Sequence, residues 1–207
     1  MINEQLVNLS NDFFQNSLDA SPTSAIMRGH KAYFDKIEEL TEEQFEIDSK
    51  NVDDYLKRLR EIEFNSLSDR EKVTYGMLEF ALGSNKDSLL DKGWEFSAGV
   101  AGFTGFLIDY NQQMFIPDME SADLLLKRLE LYKRLFNQIA YVQKTGLENN
   151  RVATERNLLR TIDQLENYLD TTLENDPLLL VNFSPDISDG DISNWKEKAK
   201  VIIESNI

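Results

Sequence analysis

Along most of this chain apolar residues recur at steps of three and four, the spacing that lines one face of an α-helix. Val52, Tyr55, Leu56, Leu59 and Ile62 form one such stripe, and Val73, Met77 and Phe80 form another. The clearest stripe runs from about residue 121 to 145, through Leu125, Leu129, Tyr132, Phe136 and Ile139. Gly146 follows it as a C-cap able to take positive φ. Leu158, Ile162, Leu165 and Leu169 mark a second long helix, from about 150 to 173. Two amphipathic helices joined by a short polar loop predict an antiparallel hairpin over about 121–173. A last helix starting near Asp191 is expected to bury Trp195, Ala199 and Ile202.

Start signals agree with this pattern. Ser21 stands as N-cap with Pro22 at the first helical position. Thr41–Gln44 and Ser68–Glu71 both fit the capping box, in which the first and fourth side chains satisfy backbone N–H groups reciprocally. The expected fold is therefore all-α: a single domain over 1–207 built as a bundle of about six to eight helices. The exception is an irregular segment at about 84–118.

That segment contains GWEFSAGVAGFTGF, residues 93–106, in which Gly99, Gly102 and Gly105 recur every third position. It is neither a P-loop nor a dinucleotide-binding turn, and no Lys or Arg stands between Gly93 and Gln113 to hold a phosphate. Small residues let another backbone approach closely, so a kinked, closely packed apolar segment is expected.

Composition narrows the chemistry. Against 22 basic residues there are 37 acidic ones, a net charge of -15, which disfavours nucleic acid and anionic membranes as partners. Lys127, Arg128, Lys133, Arg134, Glu155 and Arg156 read as a solvated helical surface. With no cysteine, disulfides, thiolate nucleophiles and Cys-ligated zinc are excluded. The start shows no signal peptide and no apolar run is long enough to span a membrane, so the expectation is a soluble, cytoplasmic protein, exported only if a leader has been removed. The one histidine, His30, reads as structural, with no nucleophile elbow or zinc-binding His pair beside it. Pro185–Asp191 resembles a calcium loop but puts Lys196 where the bidentate Glu belongs, and so reads as a turn and helix cap. Adjacent Glu42/Glu43 and Asp53/Asp54 diverge on a helix and form no acid/base couple. No catalytic, cofactor-binding or metal-ligating residue is therefore expected in this chain.

Taken in order, the motifs resemble a known family. Pro22, Ser24, Gly29, His30, Phe34, Asp35, Leu40, Thr41 and Glu43 occupy the places of its opening helix starts and turn. Leu67, Ser68, Tyr75 and Leu78 match its next helix, and Asp123, Leu126, Arg128, Leu129, Gly146, Val152, Gln164 and Leu165 match the two that follow. The family is the bacterial domain of unknown function 885, whose members look like zincin-type metallopeptidases. The resemblance covers nearly all of the chain but only the N-terminal part of the family's longer domain, whose zinc-binding His-Glu helix comes later. It implies a non-catalytic helical region forming one wall of a peptide-binding cleft, with zinc in the parent family and none held here. The implied partners are a peptide or a C-terminal catalytic half, and an exposed apolar docking patch would drive homodimerisation. By the same resemblance, Gly99, Gly102, Phe103, Gly105, Phe106, Asn111 and Gln112 are the candidate cleft-lining residues. The alternative is a free-standing acidic helical module that binds a protein partner.

Overall fold

A computed structural model describes residues 3–96 and 110–207. It is helical almost throughout, with one pair of very short strands, as an all-α fold requires. The chain divides into two compact units, one formed by Met1–Ala20 and Leu40–Trp94, the other by Ser21–Glu39 and Glu95–Ile207.

The first unit contains α1 (Glu4–Ala20), α3 (Glu42–Arg60) and α4 (Asp69–Leu90). Their shared core is Leu6, Leu9, Val52, Leu56, Leu59, Ile62, Leu67, Leu78 and Leu82. Asp12 pairs with Arg58 and Asn16 with Asn51, so α1 and α3 run antiparallel. Lys86 reaches Asp53 across the α3–α4 packing, 2.5 Å away. The Ser68 capping box forms: Glu71 accepts from the Ser68 N–H at 2.9 Å and also from the Asn3 N–H at 2.7 Å. Thr41 caps α3 by accepting from the Gln44 N–H, but the Gln44 side chain turns to Asp48 instead of reaching back.

α4 departs from expectation. It extends to Leu90, well into the stretch expected to be irregular, and a 3-10 turn follows at Gly93–Phe96. Val73, Met77 and Phe80 point outward, with Phe80 78% exposed, and the helix buries Leu78 and Leu82 instead.

The second unit contains α2 (Pro22–Met27), β1 (Phe115–Ile116), α5 (Met119–Glu130), α6 (Tyr132–Glu148), α7 (Glu155–Leu169), β2 (Asn182–Phe183) and α8 (Asp189–Asn206). α5 and α8 pack closely because Ala122 and Ala199, both fully buried, leave room between their axes. The Trp195 indole fills the rest and donates to the Ala122 C=O at 2.7 Å. Burying Trp195 and Ala199 agrees with the sequence pattern, but Ile203 takes the inward place expected of Ile202, and Ser188 starts the helix earlier than Asp191.

The expected helix over 121–145 is two helices. Asp118 caps the first by accepting from the Ser121 N–H, and Leu131 closes it by donating to the Arg128 C=O at 3.0 Å. Gly146 lies inside α6 instead of capping it, and Asn150 supplies the positive φ of 58°. Gly146 is glycine for another reason: a Cβ there would collide with the Glu95 main-chain carbonyl and sit 2.9 Å from the Arg151 carbonyl oxygen. α7 forms but is shorter than the expected 150–173, and it buries no residue; Ile162 and Leu169 are exposed, Leu158 and Leu165 half-buried.

Candidate functional site

The sequence-derived cleft candidates Gly99, Gly102, Phe103, Gly105 and Phe106 lie outside the described residues. Asn111 and Gln112 are neighbours with opposite fates. Asn111 is fully buried; its amide donates to the Leu178 C=O at 3.1 Å and accepts from the Tyr132 hydroxyl at 3.2 Å. Gln112 is exposed, and its C=O accepts from the Asn182 side chain at 2.8 Å. Together these bonds pin the start of the segment that leads into β1.

β1 pairs with β2 in parallel, Phe115 opposite Asn182 and Ile116 opposite Phe183. Side chains alternate along this segment, so Met114 and Ile116 enter the core and Phe115 stands 56% exposed on the other face. Facing it is the stretch from Ile26 to Phe34, turned by Gly29 in the left-handed region at φ +86°. Between them lies an open, mostly apolar groove of about 210 Å³, lined by Ile26, Met27, Gly29, Lys31, Phe34, Gln113, Phe115 and Pro117. The Lys31 ammonium reaches the Asp118 carboxylate at 2.5 Å and so ties the two sides together. That contact, followed by the Ser121 hydrogen bonds, holds the Asp118 carboxyl down at about 2.

The same unit holds a buried charge pair, one member of which, Arg128, the pattern assigns to a solvated surface. Arg128 is fully buried. Its guanidinium donates to the Lys36 C=O and the Thr23 hydroxyl and stands 3.6 Å from Glu38. Glu38 in turn accepts from the Thr23 N–H and hydroxyl, both at 2.9 Å, so the Ser21–Glu39 stretch is bound to α5 by polar contacts sealed from water. Nearby, burial pushes the Tyr132 phenol up from its usual value, opposed by the Arg128 charge. The signal was present in the pattern: Leu125, Arg128, Leu129 and Tyr132 follow one helical face, and the arginine stands on the inward side. A second buried carboxylate, Glu95, accepts from Asn149 at 3.1 Å and from Arg151 at 2.8 Å, and is held where its main chain crosses Gly146.

The other units of chemistry are sparse. His30 opens the 3-10 turn Lys31–Tyr33, its ring edge-on to Tyr33. Among the described residues no three His, Asp or Glu side chains gather in a way that would hold a metal ion, and no helix is long and apolar enough to cross a membrane. The first unit carries a larger open cavity of about 650 Å³ between α1 and the start of α4. Of its polar side chains, Ser10 donates to the Leu6 C=O, Thr74 donates to the Arg70 C=O, and Glu71 serves the Ser68 box. The groove at Phe115 is thus the better candidate, because it adds main-chain groups on a strand edge to an apolar floor.

Comparison with known proteins gives the family alone. No curated protein and no solved structure matches the chain. The profile of a bacterial protein family of unknown function, DUF885, matches residues 22–207, which takes in the groove, the buried Arg128–Glu38 pair and nearly every described helix. The chain belongs to the DUF885 family.

Proposed function

We propose that this chain is a non-catalytic, peptide-binding region of a metallopeptidase-like protein. Its second unit supplies one wall of a cleft, and the groove at Phe115 is the part of that wall that grips a peptide. The supporting observation is the groove itself: an apolar floor of Ile26, Met27, Phe34 and Pro117 beside an exposed strand edge. Apolar concave sites with a few oriented polar groups are where ligands bind. Hydrolysis of the bound amide would belong to the zinc-binding helix that the family resemblance implies; zinc there would polarise the scissile carbonyl and activate water. The residues present here would bind and orient the peptide.

The test is titration of the full chain with a library of capped hexapeptides, each carrying one large apolar residue. Binding should be weakened about tenfold or more by Met27→Asp, which puts a charge on the apolar floor. The same samples, supplied with zinc, should leave the peptides intact. Absence of binding by every member at millimolar concentration, or turnover that a chelator abolishes, would overturn the reading.

A further inference from the structure

The geometry points to an extended peptide pairing with the free edge of β1, main chain to main chain, at Phe115. This rests on the peptide-groove reading above and specifies how the peptide is held. In the parallel ladder the Asn182 N–H donates to the Met114 C=O at 2.9 Å and the Ser184 N–H donates to the Ile116 C=O at 2.8 Å. The main-chain groups of residues 114 and 116 therefore face β2, and ladder alternation turns the Phe115 N–H and C=O the other way. Among the described residues neither of those groups has a partner.

An unpaired strand edge is a template for another strand, and here it borders an apolar groove. A helix cannot occupy it productively, because its own N–H and C=O groups are already used. An extended segment can: one residue gives its C=O to the Phe115 N–H and its N–H to the Phe115 C=O. Its neighbours alternate sides, so a large apolar side chain reaches Ile26, Met27 and Phe34 while the next faces solvent. Pro117 has no N–H, so beyond Phe115 this edge offers no further two-way pair of main-chain hydrogen bonds. The net charge of -15 draws peptides of net positive charge in preference to acidic ones. The occupant is thus a short, extended, basic peptide with one large apolar residue.

Two variants of the full chain separate main chain from side chain. Phe115→Ala removes the ring and keeps the outward N–H. Phe115→Pro removes the ring and that N–H, and spares the ladder, which uses only groups of residues 114 and 116 on this strand. The probe is the tightest binder among capped hexapeptides with one Leu, Ile, Phe or Met set among Ala, Thr and Lys. The proline variant should bind it roughly three- to tenfold more weakly than the alanine variant, the worth of one hydrogen bond. Ester-for-amide replacement along the peptide reads the same bond on the wild-type chain, and should weaken binding at one position only. Equal affinity of the two variants, or a response to esters that is uniform along the peptide, overturns the strand pairing. If both variants still bind more weakly than wild type in that case, the groove reading survives. Failure of every hexapeptide to bind the wild-type chain overturns both.

Discussion

The Arg128 guanidinium lies 3.6 Å from the Glu38 carboxylate, with the arginine fully buried and the glutamate 5% exposed. Taking two such charges out of water is costly, and only their attraction and the hydrogen bonds around them offset it. Removing one partner leaves the other charge buried and uncompensated. Arg128→Met should therefore cost about 3–5 kcal/mol in urea denaturation. Adding Glu38→Gln should recover part of the loss, because the carboxamide oxygen still accepts from the Thr23 N–H. A loss below about 1 kcal/mol for the single variant would show the pair to be unimportant.

Glu71 gives the first unit a defined acid limb. The Ser68 hydroxyl, then the Asn3 and Ser68 N–H groups, lower its carboxyl from 4.5 to about 2. A carboxyl depressed in the folded chain contributes stability above its unfolded value, and that stability is lost as pH falls through the folded one. The urea midpoints of wild type and Glu71→Gln should accordingly differ most near neutrality and converge between about pH 4.5 and about pH 2. A constant gap across that window would count against the assignment.

Gly146 and Gly83 should respond oppositely to alanine. At Gly146 a methyl group meets the Glu95 and Arg151 carbonyl oxygens, and main chain must move. The expected cost is about 1–3 kcal/mol, as for an overpacked core. At Gly83, inside α4, nothing lies within 4 Å of the added carbon, so Gly83→Ala should stabilise by about 0.5–1 kcal/mol through helix propensity. Thermal denaturation of both variants decides the matter; a shared sign would refute it.

How far the fold could be read from sequence depends on how unambiguous each stripe is. In α3, Val52, Leu56 and Leu59 are all buried, because that helix has one apolar face, and Ile62 just past its end joins the same core. α4 has apolar residues on every side, including Val73, Tyr75, Met77, Leu78, Phe80 and Leu82, so spacing alone does not choose the inward face. The break at Leu131 leaves no trace in the pattern, since that residue keeps helical angles (φ -82°, ψ -13°) and the stripe continues through it. The site was less legible than the fold. A two-residue strand has no period to detect, and the residues opposite it come from a distant stretch, Ile26–Phe34. Asn111 is a cleft candidate only by the family resemblance, and the partners that bury it, Tyr132 and Leu178, lie far along the chain.

α7 carries a further consequence. An isolated helix of 15 residues is marginal in water, and most helical stability in proteins comes from packing. α7 has no buried side chain to draw on, so its amides rely on local terms and open to solvent exchange more cheaply than those of α5, which holds Leu125 and Leu129 in the core. Any surface that covered Leu159, Ile162 and Leu169 would slow that exchange first, which makes deuterium uptake along this one helix a reporter of whatever docks there.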